Sequence, residues 1–183
     1  SFDRLWKAHL LDRFTLPDIA SLPEVAWFGF ISLSITVIAI PTTEIVRRRV
    51  NTGDPAAVVR AMRIITIFIF TGVLTFALAQ RLSLALVMLV IAHLMRRLIG
   101  PLQHVWLNQG LDSRVRATIF SAVGQMDAFG QIALGPVLGL IALETSMPTV
   151  LVISALMLLP VLRIYGLTLS MGEKAAASQA AAS

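Results

Sequence analysis

Five ionisable side chains in this sequence stand inside stretches that are otherwise apolar. His93, Arg96, Arg97 and His104 lie within residues 82–108, and Asp127 lies within residues 115–142. A charged group at the centre of a bilayer costs about 2.5–3.5 kcal/mol on insertion scales, so it persists by facing protein or water. His93, Arg97, Gly100 and His104 recur at i, i+4, i+7 and i+11, which aligns them on one helical face with Arg96 beside them. Gln103 and Asn108 extend the polar content of the same stretch. This stretch cannot end before the arginines, because residues 82–95 would span only about 21 Å. Two readings follow for Arg96 and Arg97. They line a cavity and meet an anionic substrate or a coupling carboxylate, or one snorkels and the other holds a structural pair.

Residues 115–142 place Ser121, Gly124, Asp127, Gln131, Gly135 and Gly139 on one face. Asp127 is the acidic residue well inside this stretch. It reads either as a proton-coupling carboxylate, tuned by burial and a neighbouring Arg, or as one half of a fixed ion pair with Arg96 or Arg97. The glycines Gly124, Gly130, Gly135 and Gly139, with Pro136, read as a face for close helix packing. The substrate or coupling candidates are therefore Asp127, Arg96, Arg97, His93, Gln131 and Gln103.

The elements that must position these residues are long apolar helices. Of the 183 residues 57% are hydrophobic and 14% charged, against about 25% charged in soluble domains. A helix needs about 20 mostly apolar residues to cross a bilayer. Five spans qualify: 25–46, 61–79, 82–108, 115–142 and 148–169. Inside lipid the backbone must satisfy its own hydrogen bonds, so the β-branched run Ile64-Ile65-Thr66-Ile67 is expected to be helical. Pro41, Gly100-Pro101 and Gly135-Pro136 are expected to bend their helices. Spans two and five carry little charge and read as lipid-facing. Spans three and four, with Ser32, Ser34 and Thr36 of span one, read as a polar set around a path.

Charge then sets the expected orientation. Nine Lys and Arg follow spans one, three and five or lie near their ends, among them Arg47, Arg48, Arg49, Arg114 and Arg116, against four on the opposite side. By the positive-inside rule the 47–63 loop and the C-terminus face the cytoplasm. Glu44 is expected to pair with Arg47 or Arg48 at the end of span one. With Arg114 and Arg116 these form a candidate cytoplasmic loop or gate. No basic leader with an apolar core and cleavage site opens the chain. Phe2, Leu5, Trp6 and Leu10 repeat at helical spacing. They read as an interfacial amphipathic helix or, preferably, as the outer end of a helix whose membrane part lies upstream. The Ala/Ser-rich segment 172–183 reads as a disordered cytoplasmic tail.

Residues 108–139, NQGLDSRVRATIFSAVGQMDAFGQIALGPVLG, resemble the loop between helices ten and eleven of the major facilitator superfamily, followed by helix eleven. The matching features are Arg116-Ala117-Thr118, Ser121, Gly130, Gly135-Pro136 and Gly139. Residues 1–14 resemble the outer end of helix seven. The resemblance implies that residues 1–171 form a C-terminal six-helix half: 1–24 the end of helix seven and an outer loop, and the five spans helices eight to twelve. It implies alternating access around a central cavity, with helices seven, eight, ten and eleven lining the path and nine and twelve outside. It further implies a secondary transporter in the cell membrane, with proton-coupled export of a small amphipathic or drug-like molecule. Its partners would be lipid, an N-terminal half, substrate and protons, with no cofactor. The family's basic motif after helix eight is not intact here; Glu44 and Arg47-Arg48-Arg49 stand in its place.

Other classes fit less well. A metal-dependent phosphatidyl transferase needs several Asp at helical spacing, where Asp127 stands alone. An intramembrane zinc protease needs paired His near Glu, and His9, His93 and His104 lack that spacing. There is no Cys to ligate metal and no Gly-x-Ser-x-Gly turn for a hydrolase. No basic face on a soluble module suggests nucleic-acid binding. The reading is therefore no enzyme and no metal, with a non-transporting membrane scaffold as the alternative to transport.

Overall fold

A computed structural model describes residues 2–15 and 24–182. Among these residues every regular element is a helix: α1 (Phe2–Arg13), α2 (Glu24–Arg49), α3 (Pro55–Leu78), α4 (Leu82–Gly110), α5 (Ser113–Glu144), α6 (Met147–Leu156) and α7 (Leu159–Ala182). The loop expected before span one falls in residues 16–23, outside the described residues. Five segments are long and apolar enough to cross a bilayer: Ala26–Arg49, Pro55–Leu78, Leu82–Gln109, Arg114–Glu144 and Met147–Lys174. The β-branched run in α3 is helical, as the need for internal backbone hydrogen bonds requires.

Local chemistry explains the helix ends. Asp54 caps α3 by accepting the Ala56 amide at 2.9 Å, and Pro55 occupies the first turn, where no intrahelical donor is needed. Asp112 accepts the Arg114 amide at 3.1 Å to start α5. Ser146 accepts the Thr149 amide, with Pro148 in the first turn of α6. Helix α4 runs unbroken through Arg96, Arg97 and Pro101.

The interruption lies elsewhere. The fifth span is two helices, α6 and α7, separated by a turn at Met157 and Leu158. Pro160 has no amide to give Leu156, and its ring crowds that carbonyl. The chain tightens instead, with Leu158 N donating to Ala155 O at 2.9 Å. At the far end the expected disordered tail is replaced by helix, because α7 continues through its Ala-rich segment to Ala182. Alanine is the best helix former, and an existing helix extends without a new nucleus.

The packing reverses one expectation. Helix α3, read as largely lipid-facing, is the hub of the bundle, with its most extensive contact to α4 and further contacts to α6 and α7. In its apolar window 44% of residues are buried, against 6% in α5. Val58, Met62, Ile65, Ile69, Val73 and Phe76 form its inner face, and Ile64, Ile67, Phe68 and Leu78 its exposed one. Absence of charge does not distinguish a lipid-facing helix from a buried one, because acyl chains are as apolar as Leu. Close approach of α3 and α4 rests on Gly72. A Cβ there would stand 3.3 Å from Ala92 Cβ and 3.4 Å from the Met88 carbonyl oxygen.

Helix α1 is docked rather than peripheral. Trp6, His9 and Leu10 are buried, and its main partner is α6. Fully buried His9 donates from Nε2 to the Phe76 carbonyl, 3.3 Å, at the C-terminal end of α3, while its ring meets Phe76 edge-on. That carbonyl also accepts the Ala79 amide at 3.4 Å, so the histidine adds a second donor, supplied from another helix, to the cap of α3. Desolvation by burial holds the His9 pKa below its usual 6.5.

Candidate functional site

Helix α4 carries the polar stripe past four neighbours. His93 meets the Trp6 ring of α1 edge-on, centroids 5.6 Å apart. One turn on, Arg97 donates to the Thr36 hydroxyl of α2 at 3.3 Å, and that hydroxyl donates to the Ser32 carbonyl at 2.9 Å. A Cβ added at Gly100 would meet nothing within 4 Å. His104 stacks on Phe120 of α5, centroids 5.1 Å apart and planes 14° from parallel. Gln103 hydrogen-bonds the phenol of buried Tyr165 and so ties α4 to α7.

The residues at the level of His93 to Arg97 line an open cavity of about 470 Å3. Its lining is Trp6 and Lys7 from α1, Ser32 and Ile35 from α2, and His93, Arg96 and Arg97 from α4. Arg96 and Arg97 lie 14 and 15 residues beyond Leu82, about 21 and 22 Å along the helix, which is near its middle. Lys7 Nζ stands 5.7 Å from the ring centroids of both Trp6 and Phe28, within cation–π range. The described lining contains three cationic side chains and no carboxylate. The sequence reading selected His93, Arg96, Arg97 and, as part of a polar set, Ser32 and Thr36. It missed Trp6, whose helical spacing was visible, and its neighbour Lys7, because the docking of both against α4 depends on tertiary contacts.

Asp127 is not brought to the arginines. Its carboxylate is exposed and accepts a hydrogen bond from Gln131, one turn along α5, at 3.0 Å. Glu44 pairs with Arg47 and Arg48, and Asp54 with Arg60. The geometry gives Asp127 the neutral Gln131 as its partner and Arg97 the Thr36 hydroxyl. Gln131 lines a second cavity of about 610 Å3 with Leu5, Ile132, Gly135, Pro136, Leu138 and Gly139. The proposed packing glycines lack a close neighbour: a Cβ on Gly124, Gly130, Gly135 or Gly139 would meet nothing within 4 Å. Most of α5 is open, with Met126, Phe129, Ile132 and Leu143 all more than 70% exposed.

The arginines at the opposite helix ends have distinct roles. Glu44 holds Arg47 at 2.9 Å and Arg48 at 2.6 Å on the open surface, as its spacing predicts. Arg114 contributes its amide to the α5 cap. Arg116 reaches back to the Asn108 and Leu111 carbonyls, each at 3.3 Å, so its charge sits on the C-terminal end of α4. Gln109 adds a hydrogen bond to the Thr52 carbonyl, tying this joint to the α2–α3 loop.

Comparison with protein-family models, with curated proteins and with solved structures finds no match for this chain.

Proposed function

We propose that this chain is the C-terminal half of a proton-coupled secondary transporter of the major facilitator type, an integral membrane protein whose positively charged loop end and C-terminus face the cytoplasm. The observation that carries the reading is an imbalance of burial. Apolar α3 is the most covered span, whereas α2, α4 and α5, which hold the polar residues, are covered less. A polar helix at bilayer depth needs protein or water against that face. The open faces of α2 and α5 are thus read as half of a cavity wall, completed by an N-terminal half. The resemblance over residues 108–139 supports the same reading.

In this scheme Asp127 is the coupling carboxylate. It stands 14 residues into α5, about 21 Å from the helix start, and its hydrogen-bond partner is the neutral Gln131. A carboxylate not locked to an arginine is free to exchange a proton with water as the cavity alternates. Arg96, Arg97 and His93 form the substrate side of the wall. Glu44, Arg47, Arg48, Arg114 and Arg116 brace the cytoplasmic ends of the helices.

The test is flux. Full-length protein in proteoliposomes, under an imposed pH gradient, should move protons when a transported compound is added. Asp127→Asn should abolish the proton movement while retaining substrate binding. Unchanged proton-driven flux in Asp127→Asn removes that residue from the mechanism. Failure to move any compound of a broad amphipathic panel favours the scaffold reading.

A further inference from the structure

We infer that the cavity between α1, α2 and α4 binds an amphipathic anion, with a carboxylate, sulfonate or phosphate head on an apolar body. Lys7, Arg96 and Arg97 line it together with the Ser32 hydroxyl and the His93 ring. Two of these cations have neutral partners in the described structure: Lys7 rests against the Trp6 and Phe28 rings, and Arg97 against the Thr36 hydroxyl. Their charge is therefore held in place without being neutralised. The planar donor fork of Arg97 suits a two-oxygen head. Trp6 and Ile35 supply an apolar wall for the rest of the molecule. The volume of about 470 Å3 matches a small organic ligand.

The same charges reject other cargo. A cationic amphiphile would meet the like charges of Lys7 and Arg97, which is discrimination by repulsion. The larger cavity beside α5 lacks this selectivity, because Gln131 supplies its only polar side chain among the lining residues. As a claim about substrate the inference rests on the transporter reading; as a claim about binding it stands on the lining alone. An anionic head can arrive on a soluble compound or on a lipid, and the test separates the two.

The probe is labelled 2-naphthoate, titrated onto full-length protein in phosphatidylcholine nanodiscs, with neutral 2-naphthamide and cationic 2-naphthylmethylamine as competitors. Naphthoate should bind, and neither competitor should displace it. Lys7→Gln and Arg97→Gln should each weaken it by about tenfold, the value of one charge-assisted hydrogen bond. Arg97→Lys should fall between, since it keeps the charge and loses the fork. Arg81→Gln, outside the lining, should bind as wild type. Should Arg97→Gln fail to fold by thermal unfolding, Lys7→Gln on α1 carries the test. Equal binding of naphthamide, or unchanged affinity in Lys7→Gln and Arg97→Gln, overturns the proposal. Enriching the nanodiscs in phosphatidylglycerol should not compete specifically; competition in wild type that vanishes in Arg97→Gln assigns the site to a lipid head and overturns the soluble source. Naphthoate binding without flux of any compound overturns the transporter reading and keeps the site. Proton-coupled flux without naphthoate binding does the reverse.

Discussion

Replacing Gly72 with Leu should separate α3 from α4 and destabilise the bundle. Alanine is the instructive intermediate. Its Cβ would meet Ala92 Cβ at 3.3 Å, the Met88 carbonyl oxygen at 3.4 Å and the Ala92 amide nitrogen at 3.5 Å. Two of these three atoms are backbone and cannot rotate away. Against that crowding, Gly→Ala inside a helix gains about 1 kcal/mol of propensity. The two effects nearly cancel, so Gly72→Ala should change stability by less than about 1 kcal/mol. Leucine adds three further carbons with no space to receive them, and overpacking of this kind costs about 1–3 kcal/mol. Gly135→Leu is the matched control, because a Cβ there meets nothing within 4 Å. Thermal unfolding of the chain in a neutral detergent, followed by helical circular dichroism, gives the ranking. The expected order of Tm is Gly135→Leu at or above wild type, Gly72→Ala near it, and Gly72→Leu clearly below. A Gly72→Leu protein that melts with wild type refutes the placement of α3 against α4. On the transporter reading Gly135→Leu should still impair assembly with the other half, a defect that melting of this chain alone would not show.

His9 gives the chain a pH dependence. Burial lowers its folded-state pKa below 6.5, so the neutral ring is favoured by folding. Its contribution is fully present above pH 6.5 and is lost as pH falls from there toward the folded value. The slope is at most about 1.4 kcal/mol per pH unit, one proton's worth; denaturant titrations on the acid side of about pH 6.5 that show the same slope in His9→Gln would count against it. Asp54→Ala removes the α3 cap and the 3.7 Å pair with Arg60. It should cost about 0.5–2 kcal/mol, and Asp54→Asn should recover most of it because the amide oxygen still caps. Pro160→Ala should restore the missing hydrogen bond to Leu156 and merge α6 with α7. Spin labels at positions 150 and 170 would then read about 30 Å, the length of a straight 20-residue rise, and an unchanged distance would show that Pro160 does not make the break.

Much of the architecture is decided by chemistry local to each segment. Span length and apolarity identify five segments long and apolar enough to cross a bilayer, because that requirement applies to each segment separately. Continuity of α4 through Arg96 and Arg97 follows from the same length argument, and the Glu44 pairs follow from helical spacing. Two local signals were nonetheless misread: Pro160 breaks a span treated as continuous, and the alanines of the tail prolong α7.

Which faces meet was decided by tertiary structure. In water, an apolar stripe marks the buried side of a helix; in lipid both sides can be apolar, so α3 carried no sign that it was the hub. Its useful mark was the small residue Gly72, while a Cβ on the more conspicuous glycines of α5 would meet nothing within 4 Å among the described residues. Lys7 and Trp6 reach the cavity because α1 docks along α6 beside α4, and His9 is a cap because that docking brings it to Phe76. Contacts between residues 67 apart depend on the mutual placement of whole helices, and helical periodicity constrains only the helix that carries it. For the same reason the sequence left open whether Asp127 of α5 meets Arg96 or Arg97 of α4, since helical spacing within one helix does not place another.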